Sequence, residues 1–134
     1  MKGFSPDAFK DTMAETLGME LIEFSKGRVV IEMPVDHRTH QPMGLLHGGA
    51  SVALAETIAS MGGWYLVAEE GKVVVGQEIN ANHLRPVKSG KVKGVGECIH
   101  QGKSSHVWEV KIYDEREKLV CISRCTLAVI QAPS

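Results

Sequence analysis

The stretch LLHGGASVALAETIASMGGWYLVAEEG, residues 45–71, decides the fold. It is Ala-rich, apolar and too long for a strand, and it reads as one buried helix ending near Gly71. A helix this apolar on all sides cannot lie on a protein surface, so a sheet must wrap it. The flanks supply that sheet. Residues 19–35 alternate, with Met19, Leu21 and Glu23 set against Ile22 and Phe24. Lys26-Gly27 makes a hairpin turn, after which Val29, Ile31 and Met33 alternate with Arg28, Val30 and Glu32. Pro34 ends that strand or marks an edge. Beyond the helix, strand-like runs cover 73–84, 91–99, 104–113 and 119–130. In the third of these, His106, Trp108, Val110 and Ile112 share one face while Glu109 and Lys111 share the other. The last run is partly apolar on both faces, as a central strand or one beneath the helix must be. Ahead of the hairpin, Pro6 and Asp7 suit a helix start, and Ala8, Phe9, Met13 and Leu17 carry a loose helical spacing. The pattern predicts an α+β fold, an antiparallel sheet wrapped around one long central helix.

Composition narrows the function. The 134 residues suffice for one domain, expected to span 1–134. A globule of this size buries roughly two thirds of its unfolded surface, so it needs no disulfide or structural metal. A net charge of -1 argues against a nucleic-acid binder, and with only 5% aromatic residues stacking platforms for single strands are not expected. Cys98, Cys121 and Cys125 show neither a CxxC nor a zinc-finger spacing and read as small buried hydrophobes in a reducing compartment. The start, MKGFSPDAFKD, has no apolar run of the signal-peptide kind. Residues 44–68 are long enough to cross a bilayer, but their glycines, His47 and Glu56 make a poor membrane segment. The expectation is a cytoplasmic protein with neither nucleic acid nor membrane as partner.

The chemistry centres on Glu56, the one charged side chain between Gly48 and Ala68. A lone carboxylate on an apolar helix loses solvation unless it is paired or faces a cleft. It lies either on the helix's wet edge or in a site. Ser60, one turn on, shares its face. His47-Gly48-Gly49 stands at the helix start, where free N–H groups and the dipole favour developing negative charge. A carboxylate and an oxyanion-binding helix terminus together suit acyl transfer or hydrolysis. One obstacle remains. His47 and Glu56 are nine residues apart, roughly 13 Å along one helix and on nearly opposite faces. Either they do different jobs or two subunits share each site. The histidines at 37, 40, 47, 83, 100 and 106 show no metal-ligand spacing, and neither a GxSxG elbow nor a phosphate-binding GxxxxGK[ST] loop is present. Ser104 and Ser105 beside Gly102 make a polar hairpin turn or a phosphate cradle. Residues 85–103 hold Arg85, Lys88, Lys91, Lys93 and Lys103 against Glu97 alone, a solvated face or a means of steering a phosphorylated ligand.

The run QPMGLLHGGASVALAETIAS, residues 41–60, resembles the signature of hotdog-fold acyl-CoA thioesterases. The similarity is to the branch holding the 1,4-dihydroxy-2-naphthoyl-CoA thioesterase and the enterobactin proofreading thioesterase. MPVDHRTHQP before it, VVGQEINANHLRPVKSGKVKG after it and the closing SRCTLAVI agree as well. The resemblance implies a homodimer with active sites at the interface, commonly paired into a homotetramer, which would resolve the obstacle. One subunit would supply Gln41, His47 and Gly48, and its partner Glu56 and Ser60. It further implies that the Gly48 N–H polarises the thioester carbonyl while Gln41 and His47 orient the acyl thioester. Glu56 would act as nucleophile or general base, positioned by Ser60. His83, Arg85 and the 102–106 turn, with Gly102, Ser104, Ser105 and His106, match the region that binds coenzyme A. The expected substrate is an acyl-CoA or aroyl-CoA, or the same thioester on an acyl or aryl carrier protein, with no metal or other cofactor. A non-catalytic acyl-CoA-binding module and a hydratase are the competing classes. Glu56 opposes the first, and the second calls for an Asp/His motif not found here. Met43, Leu45, Met61 and Trp64 are candidates for the acyl pocket.

Overall fold

The structure is a computed structural model that describes residues 7–133. A short helix α1 (Met13–Thr16) leads to β1 (Glu20–Ser25) and β2 (Arg28–Pro34). The long helix α2 (Gly48–Val67) follows, then a single 3-10 turn over Ala68–Glu70. Four strands complete the chain: β3 (Lys72–His83), β4 (Lys91–Gln101), β5 (Ser105–Tyr113) and β6 (Leu119–Gln131). All strand pairs are antiparallel, in the order β1-β2-β4-β5-β6-β3, so β1 and β3 are the edges.

The expected long helix is present and packs against β2, β3, β4, β5 and β6. Its start is set by His47, which caps it, and the 3-10 turn that follows it is closed by Gly71, whose φ of 71° lies in the left-handed region where glycine carries no steric penalty. Leu54, Ile58 and Ala59 are fully buried along it. Close approach of helix to sheet depends on missing side chains. A methyl on Gly62 would overlap the fully buried Trp108 ring of β5, and one on Gly96 of β4 would overlap Ile58. Trp108, Val110 and Ile112 are all buried, as the alternation in β5 requires.

The amino-terminal helix is shorter than its spacing predicts. Residues 7–12 form turns and Pro6 lies outside the described residues. Asp11 has φ 60°, which breaks the helical run, and its N–H is taken by Glu15 Oε1 at 3.2 Å. Gly18, at φ 76°, closes the segment. Between β1 and β2 the turn is Lys26-Gly27, as expected, with Gly27 at φ 77°. Pro34 ends β2 opposite Lys91. Four strands carry irregularities that no sequence pattern announced, at Ile22, Gln77, Ile99 and Val120.

Candidate active site

The loop between β2 and α2 fixes the helix start. Thr39, 2% exposed, donates its hydroxyl to the Pro34 carbonyl at 2.8 Å, and its own carbonyl accepts the His47 N–H at 2.8 Å. Asp36 and Arg38 pair at 2.7 Å, and that hydrogen bond from Arg38 holds the Asp36 carboxyl well below the usual carboxylate range. Gln41 heads a tight turn: its Oε1 accepts the N–H groups of Met43 at 2.5 Å and Leu45 at 3.4 Å. The side-chain oxygen is thus committed to the backbone, and the Gln41 amide NH₂ is left to donate elsewhere.

His47 accepts the Gly49 N–H on Nδ1 at 2.8 Å, which places the ring proton on Nε2. Ala50 and Ser51 donate to the His47 carbonyl at 3.0 and 3.2 Å. Of the helix's first N–H groups, that of Gly48 has no acceptor among the described residues. The His83 ring lies beside it; a methyl on Gly48 would stand 2.9 Å from Nε2. Gln41, His47, Gly48 and His83 therefore gather at the amino end of α2.

Glu56 sits two turns further along and does not join them. It lines an open cavity of about 480 Å³ with Phe9, Met13, Ala53, Thr57, Ser60 and Met61. Among the described residues its carboxylate has neither a hydrogen bond nor an ion pair. Ser60 shares the cavity without bonding to it. The Glu56 carboxylate lies against Gly76 of β3, at the sheet's edge. Beneath it, burial pushes the Cys125 thiol up to about 12, with the charges of Glu56 and then Glu78 adding to the effect. The sequence reading missed Phe9, Met13 and Thr57, because no local signal ties the amino-terminal segment to the middle of α2. Of the acyl-pocket candidates only Met61 lines this cavity; Met43 is 75% exposed on the opposite end's loop.

The coenzyme-binding candidates divide between the two ends of the sheet. Arg85 is exposed beyond β3, and its charge acts on Asp114, whose carboxyl is lowered chiefly by the Lys118 N–H. Gly102, Ser104 and Ser105 form the opposite hairpin, where the Gly102 N–H donates to the Ser105 carbonyl at 2.8 Å. The nine residues of β5 separate the two ends, roughly 30 Å at strand rise. Of the basic residues of 85–103, Lys91 and Lys93 line one surface hollow with Asp114, on which Arg85 acts, while Lys103 lies at the opposite hairpin. The His106 ring is fully buried beneath α2, facing Gly63, and borders a small cavity with Gly102 and Lys103 of the turn. Burial lowers its pKa, helped by the nearby His100 and opposed by Glu70.

The sequence model of the Thioesterase superfamily matches residues 43–121, which span the Gln41-proximal turn, all of α2, and β3 through β5. The chain belongs to this thioesterase superfamily. A proofreading thioesterase EntH from Klebsiella pneumoniae is 52% identical over 121 residues, 90% of this chain and 88% of that one. A 1,4-dihydroxy-2-naphthoyl-CoA hydrolase from Listeria monocytogenes is 51% identical over 117 residues, 87% of this chain and 94% of that one. The crystal structure of thioesterase HI1161 from Haemophilus influenzae superposes with a TM-score of 0.90 at 49% identity, covering 97% of this chain and 93% of that one. The six-stranded sheet around α2 is the hotdog fold of these thioesterases, and the protein is a thioester hydrolase. In this thioesterase no helix among the described residues is long and apolar enough to cross a membrane.

Proposed function

We propose that the chain hydrolyses the thioester of an acyl- or aroyl-coenzyme A, with 1,4-dihydroxy-2-naphthoyl-CoA among the candidates, to the free acid and coenzyme A. The observation that carries this reading is Glu56, an unpaired carboxylate in a largely apolar cavity on an otherwise uncharged helix. Its carboxylate acts as nucleophile or draws the proton from an attacking water, and negative charge developing on the carbonyl oxygen rests on the Gly48 N–H. Gln41 and His47 each keep a donor free to orient the thioester. Collapse of the tetrahedral adduct breaks the C–S bond and releases the thiolate; on the nucleophile route water then cleaves the mixed anhydride on Glu56 to the free acid. The thioester is already activated, so the reaction calls for no cofactor; coenzyme A enters as part of the substrate.

The spacing along α2 supports a site shared by two subunits. The Gly48 N–H and the Glu56 carboxylate stand about 12 Å apart along the helix axis in one chain. The β3 edge, with Val75 46% exposed, is open to a two-fold partner. A homodimer, with pairing of dimers into a tetramer, would bring Glu56 and Ser60 of one subunit to Gln41, His47 and Gly48 of the other. It would also bring His83 and Arg85 nearer to the other subunit's Gly102, Ser104 and Ser105, which fits an extended coenzyme. The EntH relative favours a second substrate form, an acyl or aryl group carried on a carrier protein.

Replacing Glu56 with Gln is expected to lower kcat for thiol release from benzoyl-CoA by about a hundredfold to ten-thousandfold, the span of general acid–base contributions. Undiminished turnover in that variant removes Glu56 from the mechanism. Comparing kcat/KM for dihydroxynaphthoyl-CoA, an aroyl carrier protein and a medium-chain acyl-CoA separates the two substrate forms.

A further inference from the structure

We infer that Gly76 is a positioning residue for the Glu56 carboxylate, and that the β-bulge beside it keeps a second carboxylate out of the site. The inference rests on the proposed role of Glu56. Gly76 lies on edge strand β3 opposite Leu127 of β6. A methyl group added there would overlap Glu56 Oε2 and crowd its carboxyl carbon, at 3.2 Å. With neither hydrogen bond nor ion pair to hold it among the described residues, the carboxylate is located by packing, and the notch at Gly76 is the surface it rests on.

The bulge acts on the neighbouring charge. The register passes from Gly76 opposite Leu127 to Glu78 opposite Thr126, leaving Gln77 as the extra residue. Before the bulge, even-numbered residues face α2: Val74 meets Gly63, and Gly76 meets Glu56. After it, odd-numbered residues do: Ile79 and Ala81 pack on the core and His83 meets Gly48. Without the bulge, strict alternation through Gln77 would turn Glu78 onto the helix face next to Glu56. With it, Glu78 points away, exposed, where Asn80 donates to its two oxygens at 3.4 and 3.3 Å. Glu56 is thereby left as the one carboxylate lining the cavity among the described residues.

The test compares Gly76→Ala in three backgrounds, reading kcat and KM for benzoyl-CoA and Tm for each protein. In the parent chain the added methyl displaces the carboxylate and lowers kcat by about tenfold to a hundredfold, the scale of a misplacement near 1 Å, with KM changed far less. With Glu56→Asp, whose shorter side chain clears the methyl, the same substitution costs less than about twofold. With Glu56→Ala, nothing remains to overlap, and Gly76→Ala lowers Tm by less than it does in the parent. A parent-background kcat within twofold of the unmodified enzyme overturns the inference. Equal losses of kcat or of Tm across backgrounds do so too, because the methyl would then act elsewhere. So does a Gly76→Ala chain that fails to fold even when combined with Glu56→Ala. Full activity of Glu56→Gln defeats the underlying reading of Glu56 and the inference with it. A dead Glu56→Gln beside a fully active Gly76→Ala defeats the inference alone.

Discussion

Burying an imidazole with both ring nitrogens unpaired ties its protonation to folding. His106 is 0% exposed, and neither Nδ1 nor Nε2 has a hydrogen-bond partner among the described residues. Its neighbours divide in sign: His100 and burial disfavour the charged ring, Glu70 favours it, and Lys72 and Lys103 line the small cavity at its edge. The folded-state pKa is lowered, whereas the unfolded chain takes its proton near the ordinary 6.5. Below that value the unfolded chain binds more protons, so His106 makes stability fall as pH falls; above it the contribution disappears, and below the folded-state pKa the loss stops growing. Urea midpoints measured from about pH 7.5 to about pH 5 should therefore decline less in a His106→Leu variant than in the parent. An unchanged slope assigns the pH dependence to other groups. The residue also shows which sequence signal was the stronger. Alternation placed His106 on one face with Trp108, and the structure buries both; its place beside a coenzyme-binding turn followed from the resemblance alone.

Helix α2 and the sheet meet through paired absences. Gly62 accommodates Trp108 and Gly96 accommodates Ile58, so each layer lacks side chains where the other is bulky. Gly62→Ala forces its methyl into the indole, which is held on all sides, and should destabilise the fold by roughly 1–3 kcal/mol despite alanine's better helix propensity. Chemical denaturation measures this; a stabilised variant shows that the indole can move aside. The helix itself was legible because twenty residues with one charge admit few other readings, and the strand runs followed from period-two alternation. Gln77 was not legible. A bulge is a choice of register between two strands, and β3 shows no break in composition where Val75, Gly76, Gln77 and Glu78 pass over β6. The foreshortened α1 had a similar cause, since nothing in FKDTMAET signals that Asp11 adopts a left-handed conformation.

Across the whole molecule, the chemical groups are strung from the amino end of α2 to its middle, and sequence spacing alone revealed that separation. A shared site predicts complementation between inactive chains. Gly48→Pro removes the N–H and crowds the His83 ring, 2.9 Å from its Cβ, while keeping the helix start, because proline suits the first helical position and His47, at φ -70° and ψ 130°, already holds the extended conformation that a following proline demands. Mixed with Glu56→Gln under subunit exchange, half of the dimers should be hybrids, each with one intact site. The mixture should regain about a quarter of parent activity. Absence of recovery, with exchange demonstrated by mass, confines each site to one chain. A last property concerns the substrate's own reactivity. An acyl thioester transfers its acyl group to any accessible thiolate, so a protein that binds one beside its own cysteines risks capturing the cargo covalently. Here burial raises the pKa of Cys98, Cys121 and Cys125 alike, and at Cys125 the carboxylates of Glu56 and Glu78 reinforce it. With that thiol near 12, about one molecule in a hundred thousand carries its thiolate at neutral pH. Burial, reinforced by the Glu56 and Glu78 charges, keeps the Cys125 thiol protonated and unable to compete for the acyl group.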